Sequence, residues 1–147
     1  MRLVGKHTHQ LDDRNRFRVP AKFKSFFDEN TNLYICPGRN LKCLYIVDEA
    51  RFDKMFAELD TSIMDGSEQA ELKTFILSNS QQVSVDNQSR VTLDQSLLDC
   101  VNIDKNILTI GVGSYLEIWA QDTREDIDKG IEVNFSDLLK KLDNLGN

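Results

Sequence analysis

The sequence predicts an α+β fold built from two similar β-rich halves, with helices between and after them. Three observations carry this reading. "QLDDRNRFRVPAKFKSFF" (10–27) aligns with "SVDNQSRVTLDQSLLDCV" (84–101) at a constant offset of 74, sharing apolar-Asp-x-x-x-Arg-apolar-x-apolar. Short runs that alternate apolar and polar residues sit inside each copy. Apolar residues at helical spacing occupy the segments around them.

In the first copy "HTHQLD" alternates as a strand does, and "DRN" then breaks the pattern at Asn15, a residue that tolerates positive φ in a turn. "RFRV" resumes the alternation, with Phe17 and Val19 on one face and Arg16 and Arg18 on the other. Pro20 ends that strand and suits the first position of a helix. Phe23, Phe26 and Phe27 give the helix one apolar face. "NLYICPGRNLKCLYIV" is two apolar runs reversing around Pro37-Gly38.

The second copy repeats the order with a "VSVD" strand, a "NQS" turn and a "RVTL" strand. A helix at "QSLLDCV" follows, and "NILTIGVGSYLEIW" turns at Gly111 and Gly113. Asp94 takes the place of Pro20, where it suits a helix N-cap. Between the copies Phe52, Met55, Phe56 and Leu59 have helical spacing, as do Leu72, Phe75 and Ile76, with Asp65-Gly66 as a turn between them. From Gln121 the chain is polar and acidic, and Phe135, Leu138, Leu139 and Leu142 define an amphipathic helix.

Charge is segregated. Residues 1–24 carry seven Lys/Arg against Asp12 and Asp13, net +5, whereas the remainder carries 11 basic and 22 acidic side chains, net −11. A net charge of −6 argues against indiscriminate coating of nucleic acid, but local fields steer partners more than the total does. No stretch approaches the roughly 20 apolar residues of a membrane span, and residues 1–10 lack the apolar core of a secretory signal. The expectation is a cytoplasmic protein. Cys36, Cys43 and Cys100 are odd in number and read as free thiols, with a Cys36–Cys43 bridge as the alternative if the chain reverses between them.

Arg14, Arg16, Arg18, Lys22 and Lys24 have two readings from the residues alone: a DNA-facing surface, or a solvated strand face with Asp12 pairing Arg16. On the first, an arginine fork can bridge O6 and N7 of guanine while neighbouring lysines neutralise phosphates. Asp12 and Asp86, each four residues before an arginine, would orient Arg16 and Arg90 rather than approach phosphate. His7 and His9 share a strand face with no metal-ligand spacing nearby, and Cys-x6-Cys is wider than a zinc knuckle; neither metal nor cofactor is expected. No nucleophile elbow, phosphate-cradling Gly loop or HExxH motif is present, so no enzyme is expected. Tyr115 and Trp119 read as core or subunit interface.

"GKHTHQLDDRNRFRVPAKF", "VSVDNQSRVTL" and "IGVGSYLEIW", in that order, resemble the MraZ family of bacterial transcriptional regulators over roughly residues 1–125. The resemblance implies two tandem AbrB-like, swapped-hairpin halves at 5–48 and 78–121, a helical connection at 49–77 and an acidic helical tail at 122–147. It further implies a homo-oligomer, a ring, that binds double-stranded DNA at short G-containing direct repeats upstream of the division and cell-wall gene cluster, in the nucleoid. Arg14, Arg16, Arg18, Lys22 and Arg90 become the DNA contacts, with Asp12 and Asp86 orienting. An antitoxin-like protein-interaction scaffold is the alternative. The chain departs from the family at Asn15 and Ser89, where glycine is usual, and at Asp94, where proline is.

Overall fold

Alternation and helical spacing become eight strands and five α-helices in a computed structural model that describes residues 2–146. In chain order these are β1 (Lys6–Gln10), β2 (Arg16–Arg18), α1 (Lys24–Glu29), β3 (Leu33–Pro37), β4 (Cys43–Asp48), α2 (Glu49–Asp60) and α3 (Gly66–Ser78). There follow β5 (Gln81–Gln82), β6 (Arg90–Thr92), α4 (Gln95–Cys100), β7 (Asn106–Gly111), β8 (Leu116–Ala120) and α5 (Gln121–Gly146). The architecture is α+β, with antiparallel pairing throughout.

The sheet order β1-β7-β8-β4-β3-β5 reads the same from either end once residues are matched at an offset of 74, which contracts to 72 for β4 and β8. Each half lends its first strand to the hairpin of the other: β1 pairs with β7 and β5 with β3. The second strands meet in a separate two-stranded ribbon, β2 with β6. At the middle β4 pairs with β8, Tyr45 opposite Glu117. The two halves therefore complete each other rather than folding side by side.

One face of the sheet packs under the ribbon, α1 and α4. Its core joins Ile35, Leu44, Ile46, Ile107, Leu116 and Ile118 to Phe17 and Val91 of the ribbon and to Phe23, Phe26, Leu97 and Leu98 of the helices. At about 25 cal/mol per Å² of apolar surface, full burial of each such side chain contributes about 1.5–3 kcal/mol. The opposite face carries Tyr34, Cys36, Tyr45 and Val47 under Phe52 and Phe56 of α2. Tyr34 stacks on Phe52, with centroids 4.6 Å apart. Glu117 is only 2% exposed there, and its carboxylate accepts two bonds from Arg39 and one from Trp119 Nε1, so no lone charge is buried.

Several expectations are refined. Pro20 lies just before a 3-10 turn (Ala21–Phe23) as its cap, with extended ψ, not inside the helix. The first hairpin reverses over residues 38–42 instead of at Pro37-Gly38, through Asn40 and Leu41 at positive φ. Gly38 is required beside it, because a Cβ would lie 2.5 Å from the Cys43 sulfur. Asp65 is not a turn residue but the cap of α3, in a reciprocal capping box with Glu68. Asp94 precedes α4 but makes no side-chain cap; its amide instead donates to Gln81 Oε1 at 2.7 Å. "VSVD" is the largest departure: β5 is two residues long, and Val85 makes only an isolated bridge to Val91. The amides of Asn79 and Ser80, where the matching strand would begin, close the last turn of α3.

His9 ties the edge strand β1 to both layers. Its Nε2 lies 2.7 Å from Thr109 Oγ1 and its ring meets Phe17 edge-on at 5.7 Å. Burial first, and then the nearby His7, push its pKa from 6.5 down to about 4. The unfolded chain thus binds more protons than the native one between these values, so stability is full above pH 6.5 and falls as the pH drops toward 4. Urea midpoints measured across that window should decline for the natural chain, and His9→Gln should flatten the slope.

Candidate nucleic-acid interface

The site begins as a local hydrogen-bond problem. A chain reversing between β1 and β2 leaves several amides without ladder partners, and Asp12 supplies the acceptor. Its Oδ1 accepts from the amides of Arg14 and Arg16, each at 2.9 Å, and its Oδ2 accepts from Arg16 Nε at 2.7 Å. The second copy repeats the set. Asp86 Oδ1 accepts from the amides of Gln88 at 2.8 Å and Arg90 at 2.9 Å, and Oδ2 accepts from Arg90 Nε at 2.9 Å. Asn15 and Ser89 both sit at φ 59°, so serine adopts here the left-handed conformation that asparagine adopts more readily.

Those two residues also join the halves. The carbonyl of Ser89 accepts from the Val19 amide and that of Asn15 from the Leu93 amide, both at 2.8 Å. Asn15 Nδ2 further donates to Gln95 Oε1 at 2.9 Å. In the ribbon so formed Phe17 lies opposite Val91 and both are buried. Arg16 lies opposite Thr92 and Arg18 opposite Arg90, on the outward face.

Like charges directly opposite one another cost stability in a strand pair. Arg90 is balanced by Asp86, whereas Arg18 donates only to the backbone carbonyl of Gln88, at 3.0 Å. The ribbon thus holds three guanidinium groups against two carboxylates, an excess of positive charge facing outward. Because the aspartates engage Nε of Arg16 and Arg90, the Nη1/Nη2 edge of each guanidinium is left for a partner. That edge is the one suited to a planar pair of acceptors.

Of the residues singled out from sequence, Arg16, Arg18 and Arg90 come together on the ribbon, with Asp12 and Asp86 bracing two of them. Arg14 is exposed in the turn before it. Lys22 is exposed but held elsewhere, its Nζ donating to the Lys6 carbonyl of β1 at 2.8 Å, and Lys24 pairs with Asp28 at 3.3 Å. Sequence reasoning missed Thr92 and Gln88, the counterparts of Arg18 and Arg14 at the 74 offset, which share the ribbon and its turn. The repeat itself was the signal for them.

The other candidates take structural roles. Trp119 is 2% exposed, with Arg124 above its ring, and Tyr115 packs against Tyr45 and under Arg51. Cys36, Cys43 and Cys100 are free thiols, and burial pushes the first two up to about 12, far from a nucleophilic thiolate. Among the described residues no group of three or more His, Cys, Asp or Glu gathers to hold a metal ion, and no helix is long and apolar enough to cross a membrane.

A doubled, aspartate-braced arginine turn on a strand-exchanged α+β sheet defines a protein with an outward-facing cationic ribbon. Its relatives have the same extent. The family described as "MraZ protein, putative antitoxin-like" matches residues 76–144. A "Transcriptional regulator MraZ" from Ureaplasma parvum serovar 3 is 30% identical over 139 residues, covering 95% of either chain. The proteins of that name from Clostridium tetani and Caldanaerobacter subterraneus are each 26% identical, the former covering 97% of this chain and 98% of its own, the latter 97% of each. The chain belongs to the MraZ family.

At Asp12 desolvation opposes ionisation, but the amides of Arg16 and Arg14 and the Arg16 guanidinium outweigh it and hold the carboxyl below its ordinary 3.8. At Asp86 the Arg90 amide leads the same effect. Each brace is therefore complete above the ordinary carboxyl range and is lost as pH falls through the depressed value. Carbon-detected NMR titration should place both midpoints below 3.8. In Arg16→Ala the Asp12 midpoint should move up while that of Asp86 stays in place.

Proposed function

We propose that this protein is a sequence-specific DNA-binding transcriptional regulator, without catalytic activity, in the cytoplasm and associated with the nucleoid. The observation that carries the reading is the ribbon, where Arg16, Arg18 and Arg90 share one outward face and two of them keep their forked edges available. The names of the relatives agree with it. The exchange of first strands supports two AbrB-like, swapped-hairpin halves, at 5–48 and 78–121, linked by the helices of 49–77.

In this role Arg16 and Arg90 read guanine in double-stranded DNA, Asp12 and Asp86 fix their direction, and Arg18, Arg14 and Lys22 supply attraction to phosphate. The targets are short G-containing direct repeats upstream of the division and cell-wall gene cluster. One chain offers few contacts, so a homo-oligomeric ring that engages successive repeats raises the effective concentration of each later contact. The acidic remainder repels DNA and keeps binding to the ribbon face. The rival reading is an antitoxin-like interaction scaffold, in keeping with the description of the family. Salt separates the two, since a DNA complex weakens steeply as counterions compete.

The decisive experiment titrates a labelled duplex carrying G-containing direct repeats against a scrambled duplex. The repeats should bind more tightly, with affinity falling steeply as salt rises; equal affinity for both would sink the reading. Arg16→Ala and Arg90→Ala should each weaken specific binding by about 5- to 150-fold, the equivalent of one bidentate base contact. Asp12→Ala should reduce specific binding more than non-specific binding.

A further inference from the structure

Beside the braced arginines lies an acidic side chain that neither brace uses. Asp94 stands two residues beyond Thr92, the residue opposite Arg16. Leu93 between them is 1% exposed, and the backbone at Asp94 is still extended, at φ −64° and ψ 140°. The strand alternation therefore carries through, and Thr92 and Asp94 are both exposed on the arginine face. As a diagonal neighbour Asp94 sits about 7–8 Å from Arg16, backbone to backbone.

The chain around Asp94 is clasped. Gln81, on the edge strand β5, donates from Nε2 to the Thr92 carbonyl at 2.8 Å and accepts the Asp94 amide on Oε1 at 2.7 Å. Between these two bonds the Leu93 amide is tied to the Asn15 carbonyl. The carboxylate itself makes no cap on α4; the Leu97 amide bonds the Asp94 carbonyl instead, at 3.1 Å. Nor does it pair with a cation among the described residues. The matched place in the first copy holds Pro20, so only one end of the ribbon carries such a group.

We infer, on the DNA reading of the ribbon, that Asp94 is a specificity residue whose carboxylate accepts from the amino group of a cytosine near the guanine read by Arg16. A carboxylate turned toward a polyanion is repelled by phosphate and is favourable only where a base offers it a donor. In the major groove cytosine N4 is that donor. Thymine presents the O4 acceptor there, and guanine presents O6 and N7, so both are refused. Adenine sets its N7 acceptor beside the N6 donor, against the second carboxylate oxygen. An offset of about 7–8 Å against about 3.4 Å per base pair places the cytosine one or two steps from the guanine.

Competition binding of the full chain tests this, with every single-base variant of a G-containing direct repeat and a scrambled duplex as probes. The natural chain should prefer cytosine over thymine by about 5- to 150-fold at one position within two base pairs of the guanine. Asp94→Ala should level that position, keep the guanine requirement, and bind the scrambled duplex more tightly. Gln81→Leu releases the clasp but keeps the carboxylate, and should weaken the cytosine preference without that general gain. If Asp94→Ala binds every duplex more tightly by one common factor, with base preferences unchanged, Asp94 is a repulsive charge only and the assignment is overturned. A natural chain that binds repeats and scrambled duplex alike would remove the DNA reading itself, and the role of Asp94 with it.

Discussion

The ribbon exists because two backbone carbonyls point the wrong way for their own strands. At φ 59° Asn15 and Ser89 turn their carbonyls out of the local hairpin and into the other half, onto Leu93 and Val19. A three-residue strand has too few ladder bonds to stand alone, and a two-stranded ribbon is marginal in water without a packed face. The crossed carbonyls fix the register in which Phe17 meets Val91 over the sheet core. Once that register is set, the outward positions are set with it, because strand neighbours alternate. The arginine cluster is thus a consequence of how the halves lock, and each half is incomplete without the other.

Much of this was legible as spacing. An aspartate four residues before an arginine, with Asn or Ser between them, specified the brace, and its repetition at a fixed offset specified two of them. Phe17, Phe23, Phe26 and Phe27 announced an inward face and are buried. What was not legible is pairing between segments far apart in the chain. His9 finds Thr109 a hundred residues away, and no local pattern states that β1 belongs with β7. Similarly, "VSVD" has the alternation of a strand, yet the paired strand lies one step earlier at Gln81–Gln82, its start cut short because the amides of Asn79 and Ser80 close α3, and only the Val83 amide continues onto the Leu33 carbonyl. Arg39, half exposed in the turn of the first hairpin, gave no sign in sequence that it would neutralise the buried Glu117.

The two sheet faces divide the work. The face under the ribbon is apolar apart from the His9–Thr109 pair, and it seats Phe17 and Val91 of the ribbon. The opposite face holds the polar exceptions, the Arg39–Glu117–Trp119 cluster and the start of α5. A buried carboxylate that keeps three donors is more a device for fixing one arrangement than a source of stability, since desolvation offsets much of the attraction. It fastens the first hairpin to β8, and so holds together the two central strands on which the pseudo-symmetry turns.

At the ribbon that symmetry is broken in charge but not in backbone. At matched positions Arg14 becomes Gln88 and Arg18 becomes Thr92, while the backbone of the two turns is the same. A dimer of identical half-length chains could never do this, because any substitution would appear twice. Carrying both halves in one chain lets the two ends of the ribbon differ in kind, with Arg14 and Arg16 beside Thr92 at one and Arg18 beside Arg90 and Gln88 at the other. Turned end for end, such a ribbon repeats its backbone but not its surface.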